Sequence, residues 1–294
     1  MNKSTNPASR SLLVAVLALG SCFAAFAPTA SATLLLEESF AYSPGALGAA
    51  NGGTGFTLAF SSGGGGDPTS WTPGTPAAFT VAGGLSYSGL ASSGGALNVA
   101  GPGDWSGSAR RTFTSINTTT SQVWGSYLLN VSAVGDDGFE VKFGEGTNIN
   151  WGLASGYKGS NDGNVSQTFS NPSNANPTGP AAFTIGTTFL VVWAYNNSAD
   201  DGDFLVGDFL YWINPTLGVA PDVLNPTIYM NGGFIGDLGS MQIYGRNTTV
   251  TVDEIRIGTS CASVTPIPEA SSFAALAGAF GLLAAITKRR RRTA

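Results

Sequence analysis

The residues able to do chemistry are few, and their spacing says more than their number. Histidine is absent from all 294 residues, which excludes a His-based triad, an imidazole metal ligand and an imidazole pH switch. Carboxylates remain as general acids and bases, and glycoside hydrolysis needs two of them about 5 to 9 Å apart. Side chains that share a face of a strand sit at alternate positions. Glu140 and Glu145 fall on opposite faces of a straight strand, and the neighbours Asp253 and Glu254 oppose each other. A triplet of Glu, Asp and Glu at alternate positions, which would aim three carboxylates into one cleft, is absent. The sequence therefore predicts no catalytic residue.

Asp200, Asp201 and Asp203, with Asn196 and Asn197 before them and Asp208 after them, gather hard oxygen atoms on a loop. Calcium takes six to eight such ligands, yet the spacing is not that of an EF-hand. A candidate calcium site thus stands beside the plainer reading of a solvated acidic turn. Asp136-Asp137-Gly138 is a weaker cluster of the same kind and reads as a hairpin turn. Six tryptophans could offer faces to sugar rings. Trp193 and Trp212 lie in runs that are apolar at every position and read as core. Trp124, beside Ser126 and Asn130, and Trp151, after Asn148 and Asn150, read as exposed and are the candidate glycan contacts.

These residues need elements to hold them, and the pattern is that of strands. Phe139, Val141 and Phe143 alternate with Glu140 and Lys142, which gives one apolar and one wet face. Val123, Tyr127, Leu129 and Val131 alternate in the same way with Ser126 and Asn130. Phe189 to Tyr195 is apolar on both parities, as a central strand covered on both sides must be, and Phe204 to Ile213 is similar. Val250 and Val252 share one face while Ile255 and Ile257 share the other, so a bulge is expected at Asp253-Glu254. With Leu34 to Tyr42, Ala96 to Ala100, Arg110 to Thr114, Asn148 to Leu153, Val165 to Phe169 and Met241 to Arg246, about a dozen strands are expected, enough for one all-β antiparallel sandwich. The glycine run at Gly63 to Gly66 and the Asn- and Pro-rich stretches Asn171 to Pro180 and Asn214 to Pro226 connect them.

The ends are of another character. Lys3 and Arg10 precede an apolar run, Leu12 to Leu19, and the small residues Ala30-Ser31-Ala32 follow, as in a secretory leader cut by signal peptidase after Ala32. The run is shorter than the ~20 residues of a membrane span. At the other end, Pro268, Glu269 and Ala270 lead into an apolar stretch of about 271–287. Lys288, Arg289, Arg290, Arg291 and Arg292 come next and would stay on the cytoplasmic side. Between Thr33 and Pro266 the chain has 17 acidic and six basic residues, a net charge of −11, which excludes a basic nucleic-acid binder. Once the leader is removed Cys261 is the remaining cysteine, so no disulfide staples the domain. Without a histidine base it reads as a buried or idle thiol.

The tail resembles the PEP-CTERM sorting signal of Gram-negative bacteria, which an exosortase recognises. Pro268 and Glu269 match its motif, and Ala270 stands where that motif has a second proline. Two further stretches, Glu38-Ser39-Phe40-Ala41-Tyr42 with Asn51-Gly52-Gly53-Thr54-Gly55-Phe56, and Val252 to Ser260, resemble the borders of concanavalin-like (LamG-type) jelly-roll domains. Such domains are frequent beside this tail in Verrucomicrobia and Planctomycetes. The resemblance implies that the first and last strands lie side by side, with the region of Phe40 against that of Ile255.

The expected organisation is a signal peptide at 1–32, a concanavalin-like jelly-roll sandwich at 33–265 and a sorting tail with membrane helix at 266–294. The expected protein is exported, held briefly in the inner membrane, and then displayed or released. It is a non-catalytic surface or extracellular-matrix protein that works among extracellular polysaccharide, with or without direct glycan binding, with exosortase and signal peptidase as partners and no cofactor other than the candidate calcium. The alternative is a secreted carbohydrate-active enzyme, a glycoside hydrolase or lyase, on the same fold.

Overall fold

The computed structural model describes residues 32–267, apart from 48–49, 51, 57–71, 74–78, 101–107, 119–121, 134–137, 146–147, 160–164, 169–177, 180–183, 197–207, 231–236 and 247–248. In chain order the strands are β1 (Leu34–Glu38), β2 (Gly45–Ala46), β3 (Thr72–Pro73), β4 (Phe79–Gly83), β5 (Gly95–Ala100), β6 (Ser108–Ile116), β7 (Val123–Ala133) and β8 (Gly138–Glu145). They continue with β9 (Asn148–Gly159), β10 (Val165–Thr168), β11 (Thr178–Gly179), β12 (Thr188–Asn196), β13 (Asp208–Ile213), β14 (Ile228–Met230), β15 (Leu238–Arg246) and β16 (Thr249–Gly258). One helical turn, α1 (Cys261–Val264), follows. Among the described residues no helix is long and apolar enough to cross a membrane.

Two antiparallel sheets result. The first runs β14-β13-β12-β7-β16-β5-β4-β2, with β1 also against β16, and the second runs β11-β10-β9-β8-β15-β6-β3. The apolar parities of both sheets meet in one core: Phe143 of the second packs on Trp193 of the first, ring centres 4.9 Å apart. β12 shows why a run apolar at every position belongs in the middle. Phe189, Val191, Trp193 and Tyr195 face that core, while Leu190, Val192 and Ala194 face a second apolar cluster on the outer side of the first sheet. The outer cluster holds Trp124, Leu128, Leu210, Trp212, Cys261 and Val264, roofed by α1 and by residues of the 84–93 and 214–227 connections.

The parity change expected in β16 is present. Its first half pairs with β5 and its second half with β1, and its register against β7 shifts between Asp253 and Arg256. Val250, Val252, Ile255 and Ile257 consequently all reach the one core. β1 lies antiparallel to the end of β16, with Glu38 opposite Ile255 and Leu34 opposite Gly258.

Two expectations are corrected. Asp136 and Asp137 lie outside the described residues, but the strands on either side of the expected hairpin turn, β7 and β8, lie in different sheets and are not a hairpin pair. The polar parity of β7 is not wet: Ser126 is fully buried and donates to the Val264 carbonyl at 2.5 Å. A single hydroxyl facing a backbone acceptor under a roof gives the same sequence pattern as one facing water.

Candidate functional site

Two places bring polar or aromatic side chains together. The first is the seam where the chain's first and last strands meet the core. Glu38 occupies a core-facing position of β1, and Arg111 occupies a core-facing position of β6 between Ala109 and Phe113. They pair across the two sheets at 2.8 Å, both fully buried. The Tyr42 hydroxyl donates to the same carboxylate oxygen at 2.6 Å, and the Arg111 guanidinium lies 3.7 Å over the Phe56 ring. The other Glu38 oxygen accepts from the Phe40 amide at 2.9 Å. This steadies a bulky residue held at φ +48°, a region costly for any side chain with a Cβ.

At the bulge of β16 the same device recurs. Glu254 sits at φ +51°, and its amide donates to Asp253 Oδ1 at 2.7 Å. Asp253 Oδ2 accepts from Leu85 N at 2.8 Å. Arg256 donates through Nε to Glu37 at 2.9 Å and through Nη2 to Glu254 and to the Ala91 carbonyl, while Glu254 also accepts from Ser93 N. Burial pushes the Asp253 carboxyl up to about 8, against the pull of its two amide donors. Burial raises Glu254 as well, opposed chiefly by the Ser93 amide and the Arg256 charge. These carboxylates have their oxygens turned inward onto amides and guanidinium groups. That arrangement holds loops to a strand and presents no acid–base pair to a substrate.

The second place is a cleft of about 560 Å³ on the outer side of the first sheet, lined by Gln122, Trp124, Val219, Cys261, Thr265 and Ile267 among others. Val219 and Ile267 are exposed at its rim. Here the expected exposed Trp124 is corrected. The ring is 5% accessible, stacked on Trp212 at 5.5 Å and 13°, with its Nε1 donating to Gln122 Oε1 at 2.5 Å. Trp124 stands on the outward parity of β7, but α1 and the 214–227 connection cover that face. Trp124 lines the cleft with the Gln122 amide beside it. Cys261 is buried, its thiol pushed up by burial, and its sulfur contact is the Thr265 hydroxyl at 3.7 Å. It is a protonated packing group there, as expected from the lack of a base.

Trp193 is fully buried, and Trp212 is 5% accessible, as read. Trp151 lies in β9, its side chain outside the described residues. Asp200, Asp201 and Asp203, the residues Pro268, Glu269 and Ala270 of the expected motif, the basic run Lys288 to Arg292, and Ala30 of the expected leader also lie outside them, while Ala32 is exposed. Among the described residues no three His, Cys, Asp or Glu side chains gather as a metal would require. Sequence reasoning missed the Glu38–Arg111 pair. Its signal is a cation at the core parity of a strand, between Ala109 and Phe113, which only a buried acid could balance.

No protein-family model matches the sequence, and no curated protein sequence matches it. Among solved structures the chain is similar to an alginate lyase, Aly36B, at 13% identity over 76% of this chain and 95% of that one, TM-score 0.44. It is similar also to domain 4 of AbnA, an extracellular arabinanase from Geobacillus stearothermophilus, at 14% identity over 79% and 94%, TM-score 0.45. A third is a carbohydrate-binding module, CBM66, from Bacillus subtilis, at 10% identity over 63% and 92%, TM-score 0.38. The likeness is one of β architecture alone.

Proposed function

We propose that the chain is an exported, exosortase-sorted protein of the cell surface or extracellular matrix, whose concanavalin-like jelly-roll domain binds glycan without turning it over. One observation carries the non-catalytic part: Glu38, Asp253 and Glu254 are buried and bonded to groups of the fold itself. Export and sorting are supported by the leader that ends at Ala32 and by the tail, in which Pro268-Glu269, an apolar stretch and an Arg cluster follow one another. In this reading the apolar stretch and its cations hold the chain in the inner membrane until cleavage near the motif releases it. C-terminal mass spectrometry of the protein from wild-type and exosortase-deficient cells tests the sorting. The wild-type protein is expected to end close to Pro268-Glu269. An intact Arg-terminated chain from both strains would leave a plain tail anchor. The same material is expected to release no reducing sugar from glucans. Release that disappears on Glu140→Gln would establish the enzyme alternative.

A further inference from the structure

Three of the large apolar side chains left exposed among the described residues, Val219, Leu224 and Ile267, belong to segments laid over the outer side of the first sheet. Val219 and Ile267 stand at the rim of the cleft beside Trp124. Ile267 lies against Gly218, where an added Cβ would come within 2.8 Å of it. Leu224 is 82% accessible, and its turn is held beside the Trp124–Trp212 stack by the Trp212 indole, which donates to the Asp222 carbonyl at 3.2 Å. The segments that cover this side, 84–93, 214–227 and 259–267, carry a single charge, Asp222, in a domain whose net charge is −11. Asp222 turns its oxygens onto Leu224 N at 3.0 Å and Asn225 Nδ2 at 2.5 Å. Bare apolar side chains on a surface so poor in charge mark a place of contact.

The distance from this rim to the tail decides what it contacts. The apolar stretch begins at about residue 271, close behind Ile267. The connecting residues, fully extended, reach at most about 14 Å. The headgroup layer takes up roughly 5–8 Å of that on each side of the hydrocarbon. Whenever the tail is in the membrane, the rim of the cleft is therefore held at or just above the headgroups.

We propose that Val219, Leu224 and Ile267 dock the domain on the lipid surface of the membrane that holds its tail, an inference that rests on the membrane-held stage of the proposed function. The tether supplies the effective concentration that so small a contact needs. The contact in turn orients the domain, so that the outer side of the first sheet meets lipid and the seven-stranded sheet faces away from it. Anionic headgroups repel the acidic remainder of the domain. Even a whole fatty acyl chain gives only marginal membrane binding on its own. Contact by these side chains therefore ends once cleavage near Pro268 cuts the tether, and the domain leaves the surface.

The test takes the chain from exosortase-deficient cells, with its tail intact, and reconstitutes it into vesicles of phosphatidylethanolamine and phosphatidylglycerol. Flotation and resistance to alkaline washing report insertion, and hydroxyl-radical footprinting reports the exposure of each side chain, corrected by the same residue in the urea-unfolded chain. Ile185 is the internal comparator. It is 47% accessible, and its neighbour Gly186 donates to the Val131 carbonyl, far along β7 from Trp124, roughly 23 Å at the rise of a strand. In the structure Val219 and Leu224 are more exposed than Ile185. On vesicles the order is expected to reverse, with Val219 and Leu224 modified at least threefold less than Ile185. A Val219→Asp/Leu224→Asp chain, with circular dichroism as the check of folding, is expected to stay inserted and to lose the protection of Ile267. Unchanged protection of Ile267 in that folded variant would mean that the tether alone holds it, and would overturn the docking; should the variant not fold, the wild-type footprint decides. An inserted chain that keeps the order of the structure would overturn the docking and leave the proposed function standing, as would equal protection of all three residues. Protection that fades as the chain is diluted into more lipid would assign the face to a second copy and overturn the lipid contact. A chain stripped by alkali would overturn both the docking and the membrane-held stage.

Discussion

Asp253 is a carboxyl group with a backbone amide at each oxygen, and burial still tips it toward the proton. In an unfolded chain it titrates near the ordinary value of about 3.9, whereas in the fold it is pushed up to about 8 by desolvation. Between those two values the folded state binds more protons than the unfolded one. Stability therefore falls as pH rises through that window and levels off above about 8. Glu254, raised in the same direction, adds to the slope. Asp253→Asn keeps an acceptor for one of the two amides and removes the titration. It is expected to flatten part of the decline in urea midpoint between pH 4 and 9 and to make the protein relatively more stable at the alkaline end. An unchanged slope in the variant would place the titrating proton elsewhere.

Among the elements, β7 carries the tightest constraint. Gly125 pairs directly with Trp193 of β12, and a Cβ at Gly125 would lie 2.1 Å from the indole carbons. The ring cannot retreat, because Phe143 stands 4.9 Å and Phe209 5.7 Å from it, centre to centre. Gly125→Ala is therefore expected to lower stability by about 1–3 kcal/mol, the range for overpacking a filled core, with a matching drop in thermal midpoint. A variant as stable as the wild type would mean that β7 and β12 separate more easily than their pairing implies. Much at this scale was legible in the sequence. The switch from Val250 and Val252 to Ile255 and Ile257 marks the bulge, and the two-sided apolarity of Phe189 to Tyr195 marks the central strand. Trp124 was not legible. Its neighbours Ser126 and Asn130 suggest an exposed face, and the roof over it comes from α1, more than a hundred residues further on. Short-range alternation records that a side chain changes face and does not record what a distant segment lays over that face.

For the molecule as a whole, the segment that follows the last strand closes the fold by Pro266. Thr33 N donates to Thr259 Oγ1 and Thr259 N donates to the Thr33 carbonyl, each at 3.0 Å, so the start of β1 and the end of β16 are tied together. Beyond them Ser260 caps α1 with a reciprocal pair of bonds to Ser263. The Val264 carbonyl then accepts from Ser126, and the Pro266 carbonyl accepts from Ala91 N at 2.9 Å. The described hydrogen bonds of the domain thus run from Thr33 to Pro266, immediately inside the two expected processing sites. Cleavage after Ala32 and near Pro268 would leave each of them intact. A chain of residues 33–267 is accordingly expected to unfold at the same urea midpoint as the full-length protein. A chain ending at Gly258 loses Cys261 and Val264 from the outer cluster and uncovers Trp124 and Leu128. The side chain of Val264 alone accounts for about 1.5–3 kcal/mol by its burial, so that shorter chain is expected to unfold at a clearly lower midpoint and with brighter tryptophan exposure to quencher. Equal midpoints for the two truncated chains would show that α1 is an ornament of the sheet and that the fold is complete at β16.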